Sequence, residues 1–289
     1  VGLLLIATWA LVNPLHGQIE RTSASLPLDQ AASFPRSAWP IQERVGPFHF
    51  HSDAPIQELA SLVDQIGSLP SEVSEKTGIE PRAKKVHLVL MRSEADFRRY
   101  MQHYFPKAPA RRALFIQDRG PGIVFTFRNP ELIVDLRHEC THALLQDQLP
   151  GLPLWLDEGL AEFFEVAPSQ QGYHQTHAAK THRQTRMGHM PPLERLECLE
   201  QASQMGPDQY QEAWAWVHFL LLGPTRANAL LQAFLKDTNQ GLTPGPLSHR
   251  VRLYYPEYRE EFLTHFSRLR SPESVVEFVS EGRASPSKR

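Results

Sequence analysis

Cysteine is nearly absent from this chain: two occur in 289 residues, Cys140 and Cys198. That scarcity excludes a disulfide-stapled fold and leaves stability to a packed core. Cys140 reads as a small core residue, with a single bridge to Cys198 as the alternative in an oxidising compartment. An excess of one charge is also missing, because 30 Lys and Arg face 32 Asp and Glu for a formal net charge of −2. A near-neutral chain gives no electrostatic reason to bind nucleic acid or an acidic membrane surface. The apolar N-terminal run from Val1 to Val12 is too short to cross a bilayer comfortably and suits a signal-peptide core, although no positive segment precedes it. Residues 1–17 are therefore expected to be a signal peptide or an uncleaved membrane anchor, with a buried strand as the remaining option. Either of the first two places the protein outside the cytoplasm. What remains, 41% hydrophobic and 21% charged residues, is an ordinary globular balance.

The most informative stretch is His138-Glu139-Cys140-Thr141-His142. Residues four apart on a helix share a face, so both imidazoles can reach one metal ion. Glu139 is turned about 100° away, where it suits a general base acting on a water rather than a third ligand. The pentapeptide alone also arises by chance, but its surroundings support a helix. Asn129-Pro130-Glu131 has the character of a helix start, and Leu132, Leu136, Cys140 and Ala143 form an apolar stripe on a different face from the histidines. Two solvated histidines on an amphipathic helix are the bland alternative.

Leu154-Trp155-Leu156-Asp157-Glu158-Gly159-Leu160-Ala161-Glu162-Phe163-Phe164-Glu165 follows. A catalytic zinc takes three protein ligands and leaves one position open, and two histidines with a glutamate are a recurring set. Glu158 is the expected third ligand. Glu162, one turn on, is placed to accept a hydrogen bond from the far nitrogen of a ligating histidine. Gly159 removes a side chain where this helix approaches the His-Glu-x-x-His helix. The competing reading makes these acids the wet side of a surface helix.

The two segments together resemble the gluzincin metallopeptidases, in which a glutamate from a second helix completes a zinc site. Trp155-Leu156-Asp157-Glu158-Gly159 is similar to the third-ligand segment of the gluzincin aminopeptidases, and Glu158 with Glu162 to the thermolysin arrangement. The aminopeptidases' Gly-x-Met-Glu-Asn-type motif is lacking, so exopeptidase activity is not implied. In size and layout, residues 137–144 and 152–162 look most like the small bacterial peptidase MA-like proteins, and the likeness extends over about 45–270. It implies one Zn²⁺ per chain on His138, His142 and Glu158, Glu139 as base, Glu162 as orienting carboxylate, and a peptide or protein substrate. A later-helix tyrosine or histidine usually stabilises the oxyanion in such enzymes; Tyr210 and His218 are the candidates here, though His218 also reads as a core histidine. A zinc hydrolase of a non-peptide amide or ester, and a metal-stabilised binding module without turnover, stay open beside the peptidase.

Strands are expected at 48–51, 86–91, 113–117 and 123–127, the last two forming a hairpin whose open edge suits an extended substrate. Helices are expected over 55–77, 94–104, 210–222, 226–236 and 254–269. Residues 168–192, with His174, His177, His182 and His189, read as a loop near the cleft, and a second metal site there as conceivable. The expected fold is α+β and zincin-like: a small mixed sheet with an edge hairpin packed on the His-Glu-x-x-His helix, then a mostly helical subdomain. The boundaries are 1–17, a flexible linker over 18–40, an α/β subdomain over 41–150, a helical subdomain over 151–272 carrying the third ligand, and a tail over 273–289.

Overall fold

The computed structural model describes residues 4–7, 34, 36–55, 59–82, 85–117, 120–146 and 148–272. In chain order the described elements are β1 (Leu4–Ala7), β2 (Ile41–Val45), β3 (Phe48–Ser52), α1 (Leu59–Thr77), β4 (Val86–Met91), α2 (Glu94–Tyr104), β5 (Ala113–Gln117) and β6 (Gly122–Phe127). Helices follow: α3 (Leu132–Leu145), α4 (Leu154–Phe164), α5 (Gln175–Arg186), α6 (Leu193–Glu197), α7 (Pro207–Leu222), α8 (Thr225–Asn239), α9 (Leu247–Tyr254) and α10 (Tyr258–Arg268). The chain is thus α+β, with a helical C-terminal part.

The strands form one mixed sheet in the order β1-β5-β6-β4-β3-β2. β4 runs parallel to β3 and β6, whereas the β1–β5, β5–β6 and β2–β3 pairs are antiparallel. β4 and β6 are buried along their whole length, as continuous apolar strands must be when both sheet faces are covered. Strand alternation divides their side chains between two cores. Val86, Leu88, Leu90, Phe115 and Val124 join the large core with residues of α1, α3, α4 and α7. Val89, Met91, Leu114, Ile116 and Phe125 face the other way, against Phe97 and Met101 of α2 and against Trp39.

Several expectations change in detail. Trp39, inside the anticipated linker, is buried and meets the Tyr100 ring edge-on, so packed structure begins before residue 41. Leu4–Ala7 forms a strand on β5, which makes the hairpin's outer strand an inner one and covers the edge reserved for substrate. The other residues of 1–17, and the 273–289 tail, lie outside the described residues. Among those described, no helix is long and apolar enough to cross a membrane. Cys140 is buried and Cys198 exposed, both as free thiols. The anticipated loop over 168–192 contains α5, whose buried Ala178, Thr181 and Thr185 keep helical spacing. Their small, partly polar side chains hide that period from a search for large apolar residues. The helix expected over 254–269 is α10, which starts only at Tyr258; α9 before it was not anticipated, and Pro256 between them, which cannot donate a helical hydrogen bond, keeps the two apart.

α4 is buried almost all round and packs between α3 and α7. Its Gly159 is needed against α7, not α3 as the sequence suggests: a Cβ there would lie 2.7 Å from Val217 Cγ2 and 2.8 Å from the Ala213 carbonyl oxygen. Replacing Gly159 by Ala is therefore expected to destabilise the chain by about 1–3 kcal/mol through overpacking. Urea unfolding checks this: the midpoint should fall at unchanged slope, and a gain, as expected for Gly→Ala in an open helix, would contradict the close approach.

Candidate metal centre

The site is built where α3 meets α4. The approach to α3 is set by Asn129, whose Oδ1 accepts from the Glu131 amide at 2.8 Å and whose Nδ2 donates to Asp135 at 3.1 Å. This side-chain turn sits just ahead of the helix, which begins at Leu132 rather than at Pro130. Arg112, next to β5, donates to Asp135 at 2.7 Å and ties the helix to the hairpin. Arg137 is buried inside this junction. It donates to the Phe164 carbonyl at 2.8 Å, to the Gln65 carbonyl at 2.9 Å and to Glu72 at 2.6 Å, so one guanidinium joins α1, α3 and the end of α4.

His138, His142 and Glu158 are each 0% exposed, and each offers a ligand atom within 4.8 Å of the other two. His138 Nε2 lies 3.4 Å and His142 Nε2 3.6 Å from Glu158 Oε2. These two nitrogens and both Glu158 oxygens are buried with no hydrogen-bond partner among the described residues. Four such atoms converging on one point are costly unless a cation satisfies them. Two imidazoles and a carboxylate are the donor set that Zn²⁺ accepts at catalytic sites.

Of the nitrogens facing away from this point, that of His138 is hydrogen-bonded and that of His142 makes an ion-pair contact only. His138 Nδ1 is 2.8 Å from Glu165 Oε2, and His142 Nδ1 is 3.2 Å from Asp157 Oδ1. The expected orienting role of Glu162 therefore belongs to Glu165; Glu162 is instead bonded to His177 Nε2 at 2.8 Å. Glu158, Glu162 and Glu165 stand at i, i+4 and i+7 on one face and each brings a carboxylate oxygen near the His138 ring, but the hydrogen bond to Nδ1 is made by Glu165. Asp157 and Glu165 are the site residues that sequence reasoning passed over, although the i+7 spacing was there to be read.

Glu139 is buried and turned toward β5, where its Oε2 accepts the Phe115 amide at 2.9 Å. The hairpin strand thus fixes the proposed base directly. The two oxyanion candidates separate clearly. Tyr210, at the start of α7, is buried near Glu158 and Glu162 and hydrogen-bonded to Arg111; burial and those carboxylates raise its pKa, which keeps the phenol protonated. His218 lies among Trp214, Phe163 and Phe266 with His265 Nε2 2.8 Å from its Nδ1, and burial pushes it down to about 3, so it is a core histidine.

Burial works against protonated histidines here, yet the carboxylates win. His138 is raised well above its usual pKa by Glu158 and Glu165, and His142 is raised to about 9 by Asp157 and Glu158. Burial likewise opposes a charged Glu158, which the two histidines nevertheless pull down to about 2. A raised histidine pKa stabilises the fold fully below the unfolded value of 6.5 and ceases to do so as pH rises through the folded one. The metal-free chain should therefore lose stability between pH 6.5 and about 9. Thermal melts in chelator across that window check this, and a flat profile would contradict it. Metal ions compete with the same protons, so uptake should release protons and weaken as pH falls. Glu165→Gln is expected to lower metal affinity about 10–100-fold by calorimetry, whereas an unchanged affinity would remove its orienting role. Compared with known proteins, the chain matches no protein-family model and no curated protein.

Proposed function

We propose that the protein is a zinc-dependent hydrolase that cleaves peptide bonds, with a site arranged like that of the gluzincin peptidases. The convergence of four unpartnered donor atoms of His138, His142 and Glu158 at the α3–α4 contact supports this reading most. A Zn²⁺ ion held there supplies Lewis-acid polarisation of a carbonyl and lowers the pKa of a water. The chain's own groups do the rest. Glu139 takes a proton from the attacking water on its carboxylate and returns it to the leaving amine nitrogen. The Phe115 amide holds that carboxylate in place. Tyr210, kept protonated, donates its O–H to the oxygen on which charge develops. Glu165 and Asp157 orient the ligand rings from behind.

An extended substrate on β5 would compete with Leu4–Ala7 for the same main-chain edge. The N-terminal apolar run, of which Leu4–Ala7 pairs with β5, supports a place outside the cytoplasm. The full burial of all three ligands favours one second reading, a metal that stabilises the fold without turnover.

Peptide-library digestion by wild type, Glu139→Gln and Tyr210→Phe, each with bound metal quantified, separates the two. The hydrolase reading predicts equal metal in all three, cleavage abolished in Glu139→Gln, and kcat lowered about 10²–10³-fold in Tyr210→Phe. Full metal with no cleavage by wild type of any peptide, amide or ester would leave the structural metal.

A further inference from the structure

The histidines of the stretch that precedes and begins α5 are drawn together with the acids of α4 outside the centre just described. His174 is the N-cap of α5 and His177 its third residue; their rings stack 3.9 Å apart at an interplanar angle of 22°. Glu162 Oε2 lies 2.8 Å from His177 Nε2, and Glu165 Oε1 lies 3.3 Å from His174 Nε2. Glu162, His174 and His177 each bring a ligand atom within 4.8 Å of the other two. We infer that these three residues form a second binding site for a divalent transition cation such as Zn²⁺.

The donor set of two imidazoles and one carboxylate is again suited to such a cation. Metal–nitrogen bonds of about 2.0–2.1 Å would set the ligand atoms about 3.3 Å apart, and at present they lie within 4.8 Å of one another, with Glu162 and His177 at 2.8 Å. The surroundings differ from those of the inner centre. The side chains of His174 and His177 are 26% and 14% exposed, so a cation can arrive from solvent and keep water on its open side. Glu162 is buried beneath them and supplies the fixed negative charge. Binding through His174 Nε2 takes that nitrogen from Glu165 Oε1, 3.3 Å away, and moves the ring's proton to Nδ1, so that the His177 amide gives up its 3.3 Å bond to Nδ1. Both contacts are long, so the loss is small.

Glu165 joins the two sites, one oxygen on His174 and the other on His138. A cation on the outer site therefore faces the same carboxylate that orients an inner ligand. The outer site is expected to be the weaker of the two, being more exposed and less enclosed by fixed partners.

The test is metal stoichiometry on the full chain, stripped with chelator and titrated with Co²⁺, read by visible absorption and by elemental analysis after gel filtration. Wild type should take two equivalents. The His174→Ala/His177→Ala double variant should take one, and His142→Ala should lose the tighter one while keeping the weaker. Single Gln substitutions at 174 and 177, with unchanged circular dichroism, guard against a folding artefact. A wild type that takes one equivalent, kept in the double variant, overturns the outer site and leaves the inner one standing. One equivalent lost in the double variant and kept in His142→Ala supports the outer site and overturns the inner one.

Discussion

A carboxylate that is wholly buried with neither oxygen hydrogen-bonded has to be matched by positive charge, and Glu158 is in that position. Leaving an ion of this kind unmatched costs several kcal/mol even after relaxation. His138 and His142 provide the match, and each is in turn backed by a carboxylate, Glu165 or Asp157. The result is an alternation of acid, imidazole and acid along two directions, with ligand atoms of His138, His142 and Glu158 brought together at one point. The same arrangement raises the histidine pKa values when protons occupy the site and offers neutral imidazoles to a metal once those protons leave.

Holding these groups in register takes more than the two helices that carry them. Arg137, the neighbour of His138, reaches the carbonyl of Phe164, the neighbour of Glu165, so the pair that orients His138 is fixed at both ends by one guanidinium. Gly159, the neighbour of Glu158, lets α4 press against α7, whose Tyr210 lies near the Glu158 carboxylate. The Phe115 amide extends the same support to Glu139 from the sheet. His138, Glu139 and Glu158 are thus each adjacent in sequence to, or bonded with, a group that holds them in place.

Much of this was legible from residue spacing. The i, i+4 histidines, the buried strand at Val86–Met91 and the helix at Glu94–Tyr104 follow from periodicity, and the structure has them where the pattern puts them. The hairpin also pairs as its glycine- and proline-bearing turn predicts. Choices among neighbours on one face were not legible. Glu162 and Glu165 are equivalent in a helical projection, and only the three-dimensional placement of the His138 ring separates them. Gly159 announces a close approach but not the partner, because α7 lies some fifty residues away in sequence. The helix at Gln175–Arg186 was missed since its buried face is made of alanine and threonine, and the burial of Trp39 depends on α2, with which its own segment shares no local pattern.

The claim on which the rest stands is that His138, His142 and Glu158 together hold a cation. X-ray absorption at the zinc edge, on the chain loaded with one equivalent after chelator treatment, tests it most directly. The account predicts a shell of low-Z donors at about 2.0–2.1 Å with the multiple-scattering signature of two imidazoles, lost when Glu158 is replaced by Ala. A zinc that fails to bind tightly, or whose spectrum shows no imidazole and is unchanged by Glu158→Ala, would contradict it.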